Sequence, residues 1–416
     1  MSLLQDRMNA LAKGQGIMSA CTSHPLAIMA VLEHAEAAGI PALIEATANQ
    51  VNQFGGYTGM LPVDFAAYVK QLSEGRKCEV ILGGDHLGPL VWRSLPEKEA
   101  MDNAAKLISQ YVAAAFSKIH IDTSMRLADD PPTLPNEIIA KRAAFLCKSA
   151  EAASDPNNPP VYVIGSEVPI PGGAQHAEEG VSVTRGVDFI STVADFRKAF
   201  EAEGLQAAWD RVVAVVVQPG VEFGDDQVFE YDRERAKNLT SALRHYAPLV
   251  FEGHSTDYQT AEKLRQMAED GVAILKVGPA LTFAVREALF ALCEMEKWLV
   301  PESSRSNFAE ALEEAMLRDP SNWNAHYHGT PDEQAFKRRF SLSDRARYYI
   351  ADPAVEKAVS ALLHNIDEHK PPLSLVSQFM PSQYKRLREG RIRLDAKELI
   401  KSRVVDCIET YPVLAT

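Results

Sequence analysis

From about residue 15 to residue 298 the chain repeats one pattern: a short apolar run rich in β-branched residues, a polar loop, then a longer stretch with apolar positions at helical spacing. Eight runs predict strands over Gly16–Ala20, Ala42–Glu45, Glu79–Gly83, Lys118–Ile121, Val161–Ile164, Val212–Val217, Leu249–Phe251 and Val272–Val277. The stretches that follow predict helices over Pro25–Ala38, Val63–Leu72, Glu97–Ala115, Asn136–Glu151, Val193–Ala208, Arg233–His245, Thr260–Asp270 and Thr282–Trp298. Parallel strands buried on both faces read as continuous apolar runs, and VVAVVV at 212–217 has that form. Eight tandem strand–helix units predict an α/β fold, a TIM (β/α)8 barrel in residues 1–300. A doubly wound open sheet is the rival, but no glycine-rich dinucleotide loop follows the first strand.

After Trp298 the pattern changes. Helical stretches over Phe308–Leu317, Pro353–Asp367 and Asp395–Lys401 are separated by Pro and Asn clusters. Residues 301–416 are therefore expected to form a helical extension packed on the barrel, a cap or subunit-contact layer without its own catalytic core.

Composition sharpens the class. Hydrophobic residues make up 46% and charged residues 24%, enough for a large core. The formal charge of -13 argues against nucleic acid or an anionic membrane as the general partner. Cys21, Cys78, Cys147, Cys293 and Cys407 are odd in number and show no C-x-x-C spacing, which excludes a disulfide framework or zinc knuckle and points to a reducing compartment. No run approaches the ~18 apolar residues of a membrane span, and the first residues lack a signal-like core. A cytoplasmic homo-oligomer acting on a small molecule is expected.

In a barrel the chemistry sits where strands end and loops begin. Those places hold Cys21, Ser23 and His24; Glu45, Asn49 and Gln50; Asp85 and His86; Asp122; Glu167; Gln218; Glu252 and His254; and Lys276. Polar groups aimed into a barrel mouth cost desolvation unless paired or metal-bound, so an inert scaffold has no use for so many. His86 and His254, on non-adjacent strands with carboxylates beside them, suit a divalent metal. Asp85 is a candidate acid/base. Glu45, Asp122 and Glu252 could instead be barrel-layer acids, and Lys276 a salt-bridge partner to one of them. GHSTD at 253–257 and VGPALT at 277–282 precede helices whose N-termini could hold phosphate.

The segments IEATANQVNQFGGYTGM, ILGGDHLGPLVW, IHIDTSM, IGSEVPIPGG, VVQPGVEFGD, FEGHSTDYQT, LKVGPALTFAVREALFAL and PPLSLVSQFMP, in this order, resemble the GatZ/KbaZ family. The resemblance spans nearly the whole chain. It implies the accessory subunit of a class II D-tagatose-1,6-bisphosphate aldolase, and family members are often labelled tagatose 6-phosphate kinase. Some relatives are described as ketose or ketose-phosphate 4-epimerases. The chain has no G-x-x-x-x-G-K-[ST] and no kinase-type glycine loop, so kinase chemistry is not expected.

The family is more distantly similar to catalytic class II aldolases, which are zinc TIM barrels. By that likeness Asp85 would handle the C4 hydroxyl proton and His86 and His254 would bind metal. Glu167, ahead of Gly172 and Gly173, would match a Glu-bearing catalytic loop. Gln218 stands where the aldolases have another zinc histidine, a departure that implies looser binding of zinc or a preference for manganese, magnesium or nickel. The expected set is thus Asp85, Glu167 and Glu45 for catalysis; His86, His254, Gln218 and Glu167 for a divalent metal; and Asn49, Asp122, Glu252, Ser255 and Lys276 for substrate. The expected activity is ketose 4-epimerisation or aldol cleavage, the alternative being a subunit that stabilises a separate aldolase.

Overall fold

The computed structural model describes Leu11 and residues 15–165 and 181–412. Eight parallel strands, Ile17–Cys21, Ala42–Thr47, Val80–Leu87, Lys118–Ile121, Val161–Ile164, Val212–Val217, Val250–Gly253 and Val272–Val277, close into a barrel. Each pairs with the next in the chain, and the eighth returns to the first with Ile274 opposite Ile17. Helices Pro25–Ala38, Pro62–Leu72, Glu97–Ala113, Asn136–Ala153, Gly186–Ala202, Arg233–Leu243, Ala261–Glu269 and Pro279–Leu299 alternate with the strands. The architecture is the TIM barrel that the eightfold pattern requires. Among the described residues no helix is long and apolar enough to cross a membrane.

The barrel interior has two levels. Toward the N-terminal strand ends Leu43, Ile81, Val161, Val163 and Ile274 pack with Leu11 into an apolar plug. Toward the C-terminal ends the inward positions turn polar: Glu45, Lys118, His120, Glu252 and Lys276 are all buried. Glu45, Gly83 and Lys118 lie side by side in register on the second, third and fourth strands. A Cβ on Gly83 would fall 2.5 Å from Glu45 Oε1, so the missing side chain lets Glu45 reach across the third strand to Lys118.

The third strand differs from its expected span, running four residues further and carrying Asp85 and His86 inside it. Its register against the fourth strand shifts between Gly84 and Leu87, and His86 adopts φ 48°, in the left-handed region. This is a bulge, which re-aims two side chains at the cost of two ladder positions. Gly88 follows, where a Cβ would sit 1.6 Å from the Asp122 carbonyl oxygen.

Among the described residues the extension holds six α-helices: Phe308–Arg318, Pro331–Phe340, Pro353–His369, Leu373–Phe379, Pro381–Arg388 and Ala396–Ile408. Three were not expected, because proline was read as a separator. Pro331 and Pro381 instead open helices, where the fixed φ is favourable and the missing N–H has no intrahelical partner to lose. The barrel's last helix likewise begins at Pro279 rather than Thr282. Helix Ala396–Ile408 lies against both Pro25–Ala38 and Pro279–Leu299, pairing Lys401 with Glu33 (2.6 Å) on one and Arg403 with Glu287 (2.5 Å) on the other. A 3-10 turn, Arg345–Tyr349, is tied to helix Pro279–Leu299 through Asp344. That carboxylate pairs with Arg286 at 2.7 Å and accepts from Thr282 Oγ1 at 2.6 Å.

Candidate active site

A cavity of about 740 Å³ opens at the C-terminal end of the barrel. Asn49, Asp85, His86, His254, Ser255 and Lys276 line it. Glu45, Asp122 and Glu252 lie beneath, each no more than 2% exposed. Glu167 lies outside the described residues. Gln218 lies off the cavity wall, and the structure uses it differently from the metal-ligand expectation. Its Oε1 accepts from the backbone N–H groups of Gly220 (2.8 Å) and Val221 (2.9 Å), so the amide shapes its own loop.

Two residues of the fourth strand, which the sequence reading passed over, occupy the centre. Lys118 Nζ is 2.7 Å from Glu45 Oε1 and 2.6 Å from Glu252 Oε2. Lys276 pairs with Glu45 from the other side and lies 2.9 Å from Asp85 Oδ2. His120 Nδ1 is 2.8 Å from Asp85 Oδ1 and 3.2 Å from the His86 backbone nitrogen. One nitrogen cannot donate to the first and accept from the second. In the neutral ring the shorter contact, to an ionised Asp85, goes with the proton on Nδ1, which leaves the lone pair on Nε2. That Nε2 is buried and has no partner among the described residues.

His86 Nδ1 lies 2.8 Å from Asp122 Oδ2, and His254 Nε2 lies 3.0 Å from Glu252 Oε1. The ring centres of His86, His120 and His254 are 4.7, 5.2 and 5.3 Å apart. Asp85, His120, Glu252 and His254 each present a donor atom within 4.8 Å of the others. KIHI carried a readable signal for the missed pair, since Lys118 and His120 alternate with Ile119 and Ile121, the period-two mark of a polar inward face.

Electrostatics follow from this packing. Burial opposes ionisation of Asp85, yet His86, Lys276 and the hydrogen bond from His120 hold it well below the carboxylate range. Burial also opposes ionisation of Asp122, and the His86 hydrogen bond overrides it, down to about 2. His86 rises because Asp85 and Asp122 outweigh its desolvation, whereas burial takes His254 down to about 4. Lys118 and Lys276 are raised despite burial, by the acids they touch, and both stay charged. With neutral imidazoles, the four carboxylates of Glu45, Asp85, Asp122 and Glu252 stand, among the described residues, beside two ammonium groups, Lys118 and Lys276, which reach Glu45, Asp85 and Glu252. The excess negative charge favours a bound cation, or a proton on His86.

The cavity wall opposite the strands belongs to the extension. Arg347, Tyr348 and Ile350 line it, and Tyr57 meets Tyr348 edge to face with ring centres 4.8 Å apart.

The chain is similar to solved structures. A crystal structure described as a probable tagatose 6 phosphate kinase from Sinorhizobium meliloti 1021 is 44% identical, with a TM-score of 0.88 over 95% of this chain and 99% of that one. A fructose-bisphosphate aldolase from Campylobacter jejuni is 15% identical, with a TM-score of 0.47 over 88% of this chain and 93% of its own. The family model for D-tagatose-1,6-bisphosphate aldolase subunit GatZ/KbaZ-like proteins matches residues 3–415. With that match along nearly its whole length, the chain belongs to the GatZ/KbaZ-like family.

Proposed function

We propose that the protein is an enzyme that acts on a ketose or ketose phosphate by reversible cleavage of the C3–C4 bond, with a divalent cation held at the barrel mouth. The observation that carries this reading is the convergence of His86, His120 and His254 beside Asp85 and Glu252, with a buried His120 Nε2 that has no partner among the described residues. Imidazole nitrogens held at ~2.0–2.1 Å around a tetrahedral ion put their ring centres about 5 Å apart, the spacing found here. The donor set of imidazoles and carboxylates fits Zn²⁺, Mn²⁺ or Ni²⁺. When bound, such an ion supplies a Lewis acid for a ketose carbonyl.

The chain's own groups account for the proton and the charge. Asp85, held ionised at the cavity, accepts the C4 hydroxyl proton. The C3–C4 bonding pair moves toward C2, the C2 oxygen becomes anionic, and C4 becomes an aldehyde. The charged Lys276 ammonium at the cavity floor stabilises that oxygen. If the bond re-forms on the other aldehyde face, Asp85 returns the proton to the new C4 oxygen and the sugar is epimerised. If the fragments leave instead, the reaction is an aldol cleavage. No electrons are gained or lost overall.

A second reading has its own support. Lys118 and Lys276 already pair with three of the acids, as in a self-satisfied structural cluster, and the family description names a subunit. On that reading the protein stabilises a separate class II aldolase. The test is metal analysis of the purified protein, then incubation with fructose, tagatose and their 6-phosphates and 1,6-bisphosphates without added aldolase. The catalytic reading expects interconversion or cleavage that EDTA suppresses and Asp85→Asn abolishes. Unchanged sugars together with a rise in a partner aldolase's rate or stability would establish the subunit role.

A further inference from the structure

The wall that the extension contributes brings a guanidinium to the cavity. Arg347 faces the cavity; among the described residues no carboxylate lies within 4.0 Å of its guanidinium, and Asp344 and Asp257 act on it only from further off. Its Nη1 donates to the carbonyls of Ser343 (2.6 Å) and Asp344 (2.9 Å), and its Nη2 to Tyr348 Oη (2.9 Å). A guanidinium has five N–H donors, so the Nε–H and one Nη2–H remain to be satisfied. Behind it Arg345, 7% exposed, also has no carboxylate within 4.0 Å among the described residues; its Nη2 meets His326 Nδ1 at 3.0 Å and its Nε has no partner there. Both guanidinium groups flank the Tyr348 ring, at 4.5 Å for Arg347 and 5.8 Å for Arg345.

Two helix starts face the same space. Thr22, Ser23 and His24 precede helix Pro25–Ala38, and Gly278 precedes helix Pro279–Leu299; all four line the cavity. The second start is capped, since Asp257 Oδ1 accepts from Gly278 N and Ala280 N. The first has no side-chain cap. Helix N-termini attract anions, and a guanidinium with two free donors presents the fork that a phosphate or carboxylate matches.

We propose that Arg347, supplied by the C-terminal extension, binds an oxyanion carried by the substrate, a phosphate or carboxylate group on the sugar. The ligand then takes up the donors that Arg347 leaves unused and gives its guanidinium a direct ion pair. This rests on the reading that the cavity receives a ketose, and it assigns the extension a part in choosing which one.

The test is calorimetric binding to the full-length, metal-loaded protein of inorganic phosphate, D-fructose 6-phosphate, a ketohexuronate and free D-fructose, with Arg347→Met and Arg347→Lys alongside. The native protein is expected to bind one of the anionic sugars about tenfold or more tighter than fructose. The 6-phosphate and uronate arms distinguish the two oxyanions. Arg347→Met should erase the preference and leave fructose affinity unchanged, with circular dichroism confirming the fold. Should that variant fail to fold, Arg347→Lys, which keeps the charge but loses the fork, should weaken the anionic sugar by roughly threefold to tenfold and fructose not at all. An unaltered preference in a folded variant, or equal binding of all sugars by the native protein, would overturn the proposal. Arg347-dependent binding without turnover would instead count against the catalytic reading and leave this one standing.

Discussion

Glu45 touches two lysines in the middle of a barrel with no solvent to share the charge. Glu45→Gln keeps the shape but leaves Lys118 and Lys276 facing fewer negative charges, and breaking such a buried set costs about 3–5 kcal/mol. Chemical denaturation should report a loss of that order. His120 gives a sharper contrast. If its Nε2 is a metal donor, His120→Ala should lower bound metal, measured by elemental analysis, by about tenfold or more. Cys21→Ala should leave the metal content unchanged, because the Cys21 thiol, 3.8 Å from Asp85, is pushed up by burial and stays protonated. Residues that follow strands were legible because barrel geometry points them at the mouth. His120 and Lys118 had a signal of another kind, the period-two alternation of KIHI, which attention to the residues after strands passes over. For Gln218, position after a strand does not foretell that the loop's own N–H groups compete for its amide oxygen.

At the scale of elements the chain's own chemistry sets the tolerances. Gly88→Ala would drive a methyl into the Asp122 carbonyl, and both groups are backbone-anchored, so the fourth strand's end must move together with the carboxylate that holds His86. A loss of about 3 kcal/mol in an equilibrium unfolding experiment is expected. Asp257 makes a pH prediction. Burial raises its carboxyl from 3.8 to about 6, against the opposing pull of two backbone N–H bonds. A carboxyl raised in the folded state contributes fully below its unfolded value near 3.8, and that stability is lost as pH rises through 6. Asp257→Asn keeps an acceptor for Gly278 and Ala280 without the charge. It should flatten the stability profile between those values and exceed the native protein near pH 7 by roughly 2–3 kcal/mol, as thermal unfolding across pH would show. Strand and helix types were readable from periodicity, whereas the starts at Pro279, Pro331 and Pro381 were not. Proline marks a boundary without saying on which side of it the helix lies.

For the molecule as a whole, the barrel and the extension share one apolar cluster that runs from Ile28 and Leu289 to Leu362 and Leu399. A chain ending at residue 300 would expose the face of helix Pro279–Leu299 that the extension covers and would lack Arg347 and Tyr348 at the cavity. Size-exclusion chromatography of such a truncation should find aggregates, and binding of sugar phosphates should be lost. The eightfold alternation made the barrel legible from end to end. The extension's share in the cavity was illegible, because a contact between residue 57 and residue 348 leaves no periodic trace in either segment.

Helix Ala396–Ile408 bridges the first and last helices of the ring, with an ion pair to each. A circular sheet built from a linear chain has one joint that no loop spans, between the first strand and the eighth, and there the ring can gape without breaking a covalent connection. Lys401 and Arg403 fasten that joint from outside. The barrel therefore opens at its weakest place only when its last helix lets go, so exchange of the amide hydrogens between the first and eighth strands should follow the undocking of Ala396–Ile408, and Lys401→Ala paired with Arg403→Ala should speed it there before anywhere else in the sheet.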